Sequence, residues 1–317
     1  NTYDVVKGIS RLGYFDMMDF AGYNAGNGFF PVLPSAWLRA YMGWSSVKEV
    51  TPKYGQSLTI DISAAGSHTG TEIVKVPLSA NEYLLIENRQ RSTSLKGEVE
   101  IFLSGDSDDS TIVSKMLPVD SLSLVFEDSI CTKGKCKKNA RKAKGIIVGS
   151  SSYDAVLPAS GIVVWKVNEW YLKESLPYGV TNFWGGDTLR DHQFGISLVE
   201  ADGLLTVGKT FKNALGQDAF DYGSGTDIIP HLRVKKDSVF DTVFTIKPNG
   251  FGNTATVQGG YTGIQITASL PKEFRKEKNA NSFMGDSVLN FASPVISVTI
   301  AFEDLSLPSG EFPKSVG

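Results

Sequence analysis

Closely spaced carboxylates in a glycine-rich stretch are the residues of this sequence best suited to chemistry. Residues 218–227 read Asp-Ala-Phe-Asp-Tyr-Gly-Ser-Gly-Thr-Asp. Calcium binds several hard oxygen ligands at close spacing, and glycines leave backbone carbonyls free to join the carboxylates. The stretch therefore predicts a calcium site whose ligands are Asp218, Asp221 and Asp227.

A second acidic stretch is a weaker candidate for calcium. Residues 104–110 read Ser-Gly-Asp-Ser-Asp-Asp-Ser, which offers Asp106, Asp108 and Asp109 as ligands. The stretch lacks the regular ladder of acidic and amide side chains that ends in a distal glutamate. An Asp-rich surface turn, held by local side-chain hydrogen bonds, explains the same composition.

The two cysteines of the chain are close neighbours in sequence. Cys131 and Cys136 enclose Thr-Lys-Gly-Lys, a loop short enough for one disulfide to close. Such a bond persists in an oxidising compartment. A structural zinc site would need four ligands, and no second Cys or His pair lies nearby. We predict a Cys131–Cys136 disulfide, with two free thiols of a cytosolic loop as the alternative.

No catalytic set is apparent in the chain itself. The three histidines are His68, His192 and His231, and no two of them have the spacing of a His-Glu-x-x-His zinc helix. Gly-x-Ser-x-Gly is also absent. His192 lies beside carboxylates, but nothing supplies a nucleophile at a recognisable spacing. We interpret it as a hydrogen-bonded surface histidine.

Four blocks of the sequence, taken in order, resemble the M6 (immune inhibitor A-like) family of secreted metallopeptidases. The matching segments are 14–19 (Tyr-Phe-Asp-Met-Met-Asp) with 33–37 (Leu-Pro-Ser-Ala-Trp) and 43–44 (Gly-Trp), 82–90 (Glu-Tyr-Leu-Leu-Ile-Glu-Asn-Arg-Gln), 160–169 (Ser-Gly-Ile-Val-Val-Trp-Lys-Val-Asn-Glu) and 198–203 (Leu-Val-Glu-Ala-Asp-Gly). The resemblance covers roughly residues 10 to 230. The chain departs from it at Lys166 and Asn168, where the family commonly has His and Asp.

The resemblance implies a role for the first 50 residues. Met18 would be the methionine of the Met-turn beneath a zinc site, whose His-Glu-x-x-His ligands would lie upstream of Asn1. The loop that follows would wall the substrate groove through Tyr23, Asn24, Gly26 and Phe29. In such enzymes zinc lowers the pKa of a bound water and polarises the scissile carbonyl. The chain would then be a fragment that does not hydrolyse peptides alone.

The same resemblance implies a secreted, extracellular protein that acts on protein or peptide substrates. Its partner would be the upstream zinc-binding half of the same precursor. The alternative is a non-catalytic extracellular structural or binding module, derived from the family, that self-assembles in a surface layer, filament or adhesive complex. A third possibility is glycan binding, through aromatic side chains that stack on sugar rings: Trp170, Tyr171, Phe183 and Trp184.

Composition and charge exclude several classes of partner. The chain has 41% hydrophobic residues and a formal net charge of −3, so it has no overall attraction for nucleic acid or anionic membranes. The basic run at 133–144 lacks interleaved aromatic residues and is typical of an exposed loop. No apolar run approaches the roughly 18 to 20 residues that span a bilayer. We expect no nucleic-acid partner and no membrane span.

The elements that must position these residues are mainly strands. Alternation at 58–62, 74–76 and 99–103 predicts half-buried strands, and the apolar run 83–86 predicts a central strand. We expect residues 87–90 to form a polar end of that strand where it enters solvent, with an Arg–carboxylate pair that is structural or faces a cleft.

One short helix is predicted near the start of the chain. Pro34 and Ser35 favour a helix start and Gly43 an end, and the helix should bury the face that carries Trp37, Leu38, Tyr41 and Met42. We predict a mainly β fold, an antiparallel sandwich or barrel-like body with a small helical N-terminal segment. The expected divisions are 1–50 (Met-turn loop and helix), 51–230 (β-rich body) and 231–317 (strands that complete a sandwich).

Overall fold

The computed structural model of this chain describes residues 12–19, 32–104, 112–122, 129–132, 135–138, 146–175, 195–203, 206–208, 210–212, 218–235, 238–246, 263–280 and 287–302. In these ranges the α-helices with described bounds are α1 at Ala36–Tyr41 and α2 at Glu169–Ser175, and single 3₁₀ turns lie at Gly13–Phe15, Val119–Ser121, Tyr153–Val156 and Gly225–Asp227. The strands are β1 Val47–Glu49, β2 Ser57–Ser63, β3 Ile73–Pro77, β4 Glu82–Arg89, β5 Glu98–Ser104, β6 Ile112–Pro118, β7 Ser129–Thr132, β8 Lys135–Lys138, β9 Ile146–Ser150, β10 Gly161–Asn168, β11 Ile196–Leu198, β12 Thr210–Lys212, β13 Asp218–Phe220, β14 His231–Lys235, β15 Ser238–Val243, β16 Thr245–Ile246, β17 Ile264–Ala268, β18 Arg275–Ala280, β19 Ser287–Ala292 and β20 Val295–Phe302.

A five-stranded sheet is the centre of the fold. Its strand order is β1-β3-β4-β10-β11; β1 and β3 are parallel and the other neighbours are antiparallel. The longest pairing joins β4 to β10 over eight residue pairs, from Glu82 opposite Asn168 to Arg89 opposite Gly161. Every residue of β10 is buried, as expected for a strand that is covered on both faces.

A second sheet covers one face of this central sheet. It has the order β16-β17-β20-β2, and all its neighbours are antiparallel. Alternate residues of the two sheets meet in one apolar cluster, which includes Leu84 and Ile86 from β4, Val164 from β10 and Ile300 from β20. The prediction of a mainly β, antiparallel fold with a small N-terminal helix is confirmed, and no sheet in the described ranges closes on itself.

The opposite face of the central sheet is covered by the N-terminal segment and by α2. Phe15, Trp37 and Leu172 pack with Leu85 and Trp165 in a separate apolar cluster. The residues of β4 therefore alternate between the two clusters, since Leu85 faces one and Leu84 and Ile86 face the other.

Helix α1 confirms the predicted element but not its predicted buried face. Trp37 is buried, whereas Tyr41 and Met42 are exposed. The helix has only six residues, and Arg39 takes the inward position because its guanidinium forms an ion pair with buried Glu87. Tyr41 stacks on Trp37 at 5.1 Å between ring centroids and stays outside the core.

Smaller sheets complete the described structure. One has the order β15-β14-β19-β18, another β6-β5-β9, and two hairpins pair β7 with β8 and β12 with β13. Within the ranges given above, no helix is long and apolar enough to cross a membrane. The division of the chain at residues 50 and 230 stays a prediction.

Candidate functional site

Four buried charged side chains lie beneath the N-terminal segment. Glu87 and Arg89 are on the same face of β4 as Leu85, so their side chains enter the cluster that contains Trp165. Glu87 forms an ion pair with Arg39 and accepts a hydrogen bond from the Trp165 indole at 2.8 Å. Arg89 donates two hydrogen bonds to Asp154, both at 2.6 Å. We call Arg39, Glu87, Arg89 and Asp154 the buried ion network.

This buried ion network corrects the prediction that residues 87–90 form a polar strand end in solvent. Both Glu87 and Arg89 are fully buried. A buried charge is tolerated when it is paired and hydrogen-bonded, and both partners come from distant parts of the sequence. Four consecutive polar residues resemble a solvent-exposed end when only the local sequence is considered.

The buried ion network also holds the backbone of the N-terminal segment. Arg89 donates to the carbonyls of Phe15 at 3.0 Å and Leu33 at 3.1 Å. The Leu33 N–H donates to Asp154 at 3.0 Å, and Arg39 donates to the Pro34 carbonyl at 3.1 Å. The turn at 12–19 is therefore attached to Arg89, and the segment at 32–35 is attached to both Arg89 and Arg39.

An open cleft lies above the buried ion network, with a volume of about 400 Å³. Its lining is mostly apolar and comes from the turn, the 32–35 segment, the end of α1 and two loops. The lining residues are Met17, Val32, Leu33, Pro34, Arg39, Trp44, Ser45, Gly66, His68 and Tyr153. We call this feature the cleft.

The rim of the cleft contains a residue with unusual backbone geometry. His68 has φ of 54°, in the left-handed region that non-glycine residues seldom adopt. Its backbone N–H donates to the carboxylate of Glu72 at 2.7 Å, and Glu72 is almost fully buried. Strained backbone of this kind is concentrated at functional sites.

The predicted Met-turn is next to the cleft. Met17 lines the cleft, while Met18 is 41% exposed and is absent from the lining. The turn is held by Asp16, whose carboxylate accepts from the backbone N–H groups of Met18 and Ser35, both at 3.2 Å. The predicted groove-wall residues Tyr23, Asn24, Gly26 and Phe29 lie outside the described residues.

A second candidate site is a cluster of carboxylates at the end of β11 and in the loop after β13. Oxygen atoms of Glu200, Asp202 and Asp227 lie within 4.8 Å of one another. Glu200 accepts from the backbone N–H groups of Thr206 at 2.7 Å and Val207 at 3.1 Å. We call Glu200, Asp202 and Asp227 the acidic cluster.

Two further hydrogen bonds to the acidic cluster come from neutral donors. Asp202 accepts from the Thr226 hydroxyl at 2.7 Å, and Asp227 accepts from the Ser224 backbone N–H at 2.6 Å. Within the described ranges, no Lys, Arg or His forms an ion pair with Glu200 or Asp227.

Burial and mutual repulsion disfavour ionisation in the acidic cluster. Burial, followed by repulsion from Asp202 and Asp221, raises the pKa of Glu200 from its ordinary 4.5 to about 7. The pKa of fully buried Asp227 is also raised, first by burial and then by Asp202, Glu200 and Asp221. A bound cation would favour the ionised forms, since carboxylate oxygens are the ligands that calcium prefers.

The structure brings together part of the predicted calcium set. Asp227 is in the acidic cluster and Asp221 lies close enough to repel it, whereas the side chain of Asp218 and all of Asp106, Asp108 and Asp109 are outside the described residues. Sequence reasoning did not assign Glu200 and Asp202 as ligands. The sequence signal that could have identified them is that both acidic residues follow closely after an apolar strand, in the 198–203 block.

The described residues do not fit a zinc-peptidase ligand set. His231 is buried on β14 with Nδ1 2.8 Å from the Ile228 carbonyl oxygen, and His68 is in the cleft rim. The acidic cluster is the only group of three or more potential metal ligands among the described residues, and it contains no histidine. His192 lies outside those ranges.

The structure describes part of two other predicted sites, the Cys131–Cys136 disulfide and the set of glycan-stacking aromatic residues. Cys131 and Cys136 are directly opposite each other in the β7–β8 hairpin, where opposite Cα atoms are about 4.5–5.5 Å apart, within the range that disulfides span. The disulfide itself stays a prediction. Of the possible glycan-stacking residues, Trp170 is exposed and Tyr171 is buried, and Phe183 and Trp184 are outside the described residues.

Comparison of the chain with models of protein families, with curated proteins and with solved structures gives no match.

Proposed function

We propose that this chain is the cleft-forming part of a secreted, M6-like metallopeptidase that holds a peptide substrate. The cleft beside Met17 is the observation that carries the proposal. It is open, mostly apolar and next to the Met-Met turn, and it combines apolar surface with a few placed polar groups, as ligand sites usually do. The zinc ligands and the general base would come from sequence outside this chain.

The buried ion network supports this proposal because its hydrogen bonds connect the segments that form the cleft, which should make them rigid. Two arginines connect the turn, the 32–35 segment and Asp154, which directly follows the cleft residue Tyr153. A rigid wall binds an extended peptide at lower entropic cost than a mobile one.

Two measurements test the proposed function. The coding sequence that precedes Asn1 should contain His-Glu-x-x-His, and its absence there would contradict the proposal. Metal analysis of the purified chain should find far less than one zinc per molecule. Stoichiometric zinc in this chain alone would show that its ligands are not elsewhere.

The proposal includes calcium as a stabilising ion at the acidic cluster. Three carboxylates within 4.8 Å of one another, joined by hydrogen bonds to two loops, offer the hard oxygen ligands that calcium requires. Calorimetric titration should detect calcium binding that weakens strongly in Asp202→Asn. The exposed-site control Asp61→Asn should bind calcium as the unaltered chain does.

The alternative is a non-catalytic extracellular module that self-assembles. Exposed apolar side chains on the small β6-β5-β9 sheet favour it: Ile112, Met116 and Val148. Exposed apolar surface of this kind is used for protein contacts. Sedimentation at high protein concentration should then show oligomers that Met116→Glu dissociates, and monomers throughout would contradict this alternative.

A further inference from the structure

We propose that the cleft takes the lysine or arginine side chain of an extended peptide. The inference deepens the proposed function, since it names the chemical class of the peptide that the cleft would hold. It depends on three features of the described residues. The walls of the cleft are aromatic and apolar. The buried carboxylate of Glu72 lies beneath the rim without an ion-pair partner among the described residues, and the guanidinium nitrogens of Arg39, in the lining, already have protein acceptors.

The walls suit a long side chain that ends in a cation. Val32, Leu33 and Pro34 offer apolar surface on which the methylene groups of Lys or Arg can pack. Trp44 and Tyr153 also line the cleft, and each has about half of its side chain exposed. Aromatic faces attract ammonium and guanidinium groups through their ring electrons.

The charge beneath the cleft favours a cationic occupant. Arg39 and Arg89 balance Glu87 and Asp154 within the buried ion network. Glu72 is a further buried carboxylate, and no described Lys or Arg forms an ion pair with it. It adds one negative charge that the four network residues do not balance.

Glu72 is a neighbour of two residues that line the cleft, His68 and Arg39. Its carboxylate accepts from the backbone of His68, and it is close enough to Arg39 to stabilise that residue's charge. A charge in a low-dielectric region acts over a longer distance than one in water. The negative potential of Glu72 should therefore reach an occupant of the cleft.

The same geometry argues against an anionic occupant. Among the described residues, Arg39 is the only arginine that lines the cleft, and each of its three guanidinium nitrogens donates within the protein. The acceptors are the Pro34 carbonyl, the Ser45 hydroxyl and Glu87. These bonds use three of the five N–H groups of a side chain that is only 3% exposed, so a carboxylate ligand would find few donors in the cleft, whereas a cation needs none.

The test is a titration of the intact chain with three capped tripeptides, followed by NMR chemical shifts. Acetyl-Ala-Xaa-Ala-amide would carry Lys, norleucine or Glu at the central position, so that the neutral norleucine keeps a similar aliphatic stem. We expect the Lys peptide to bind about 5- to 30-fold more tightly than the norleucine peptide, the range given by a partly desolvated cation–aromatic contact.

Variants then identify the source of that preference. Glu72→Gln keeps size and a hydrogen-bond acceptor but removes the charge, so the Lys preference should fall while norleucine binding is kept. Trp44→Leu should weaken the Lys peptide. Trp170→Leu is the matched control, because Trp170 is 50% exposed against 55% for Trp44 and does not line the cleft.

Each contrary outcome has a distinct meaning. If norleucine or Glu binds as tightly as Lys, the inference is wrong, although the cleft still binds peptides and the proposed function keeps its support. If no tripeptide binds, the inference is wrong and the proposed function loses its main observation. If Lys is preferred but no His-Glu-x-x-His is encoded before Asn1, only the peptidase assignment fails.

Discussion

Arg89 connects the buried ion network to the backbone of the N-terminal segment. Its guanidinium donates to Asp154, Glu87 and the carbonyls of Phe15 and Leu33, and it is fully buried. Removing one partner of a buried ion pair leaves the other charge uncompensated, which costs about 3–5 kcal/mol. Arg89 therefore stabilises both the sheet and the cleft above it.

Replacement of Arg89 tests this directly. Arg89→Met should lower the free energy of unfolding by about 3–5 kcal/mol in urea denaturation, because Asp154 and Glu87 lose a buried donor. Lys75→Met is the control, since the Lys75–Glu49 pair is more exposed and is expected to contribute about 0–1 kcal/mol. Similar losses in the two variants would contradict a special role for the buried ion network.

The acidic cluster predicts a pH-dependent effect of calcium. In the cation-free chain, the pKa of Glu200 is raised from 4.5 to about 7, so the folded state binds more protons than the unfolded state between these values. Cation-free stability should therefore fall as pH rises through that window. Calcium requires ionised carboxylates, so its stabilising effect should increase over the same window.

Thermal unfolding at pH 5 and pH 8, with and without calcium, measures both effects. At a calcium concentration 100-fold above Kd, stabilisation at pH 8 should be about 2.7 kcal/mol, and it should be much smaller at pH 5. Glu200→Gln should reduce the calcium effect and its pH dependence, while Glu49→Gln, on an exposed strand, should keep both. A calcium effect that is equal at the two pH values would argue against binding at the acidic cluster.

At the scale of elements, the turn at 12–19 is docked on the loop that contains Asp221. The Tyr14 N–H donates to the Tyr222 carbonyl at 2.7 Å, and the two tyrosine rings stack with centroids 4.9 Å apart. Gly13 has φ of 55°, and a Cβ there would lie 2.0 Å from the Tyr222 carbonyl oxygen. The close approach connects the cleft side of the molecule to the loop beside the acidic cluster.

Gly13→Ala measures the importance of this contact. Gly43→Ala is the matched control, because Gly43 also has a positive φ, of 70°, but a Cβ there meets nothing within 4 Å. Both variants incur the left-handed backbone cost, and only Gly13→Ala should add a clash worth about 1–3 kcal/mol. Equal unfolding free energies for the two variants would show that the turn can move away from the Tyr222 loop without an energetic cost.

The sequence predicted elements better than it predicted sites. Alternation located β2, β3 and β5, and the apolar run 83–86 lies within β4, because each pattern is local. The polar residues that follow were placed in solvent, since their partners Arg39 and Asp154 are 48 and 65 residues away from them. Glu200 was not assigned with Asp227 for the same reason, as only the folded chain brings them together.

At the scale of the whole molecule, the central sheet connects two apolar clusters into one cooperative structure. Trp165 packs on one face of this sheet, and Ile300, in the second sheet, packs on the other. Strand β20 pairs with β2 along seven residue pairs, so segments far apart in sequence share the second sheet. A substitution that weakens packing in either sheet should therefore lower the stability of the whole structure.

Ile300→Ala tests this cooperativity from the face opposite Trp165. Removing a fully buried isoleucine should cost about 2–5 kcal/mol, and Leu58→Ala, at the paired and more exposed position, should cost less. Tryptophan fluorescence and far-UV circular dichroism should report the same shifted midpoint, because both layers depend on β4 and β10. A fluorescence transition that stays in place while the dichroism transition moves would show that the two layers unfold independently.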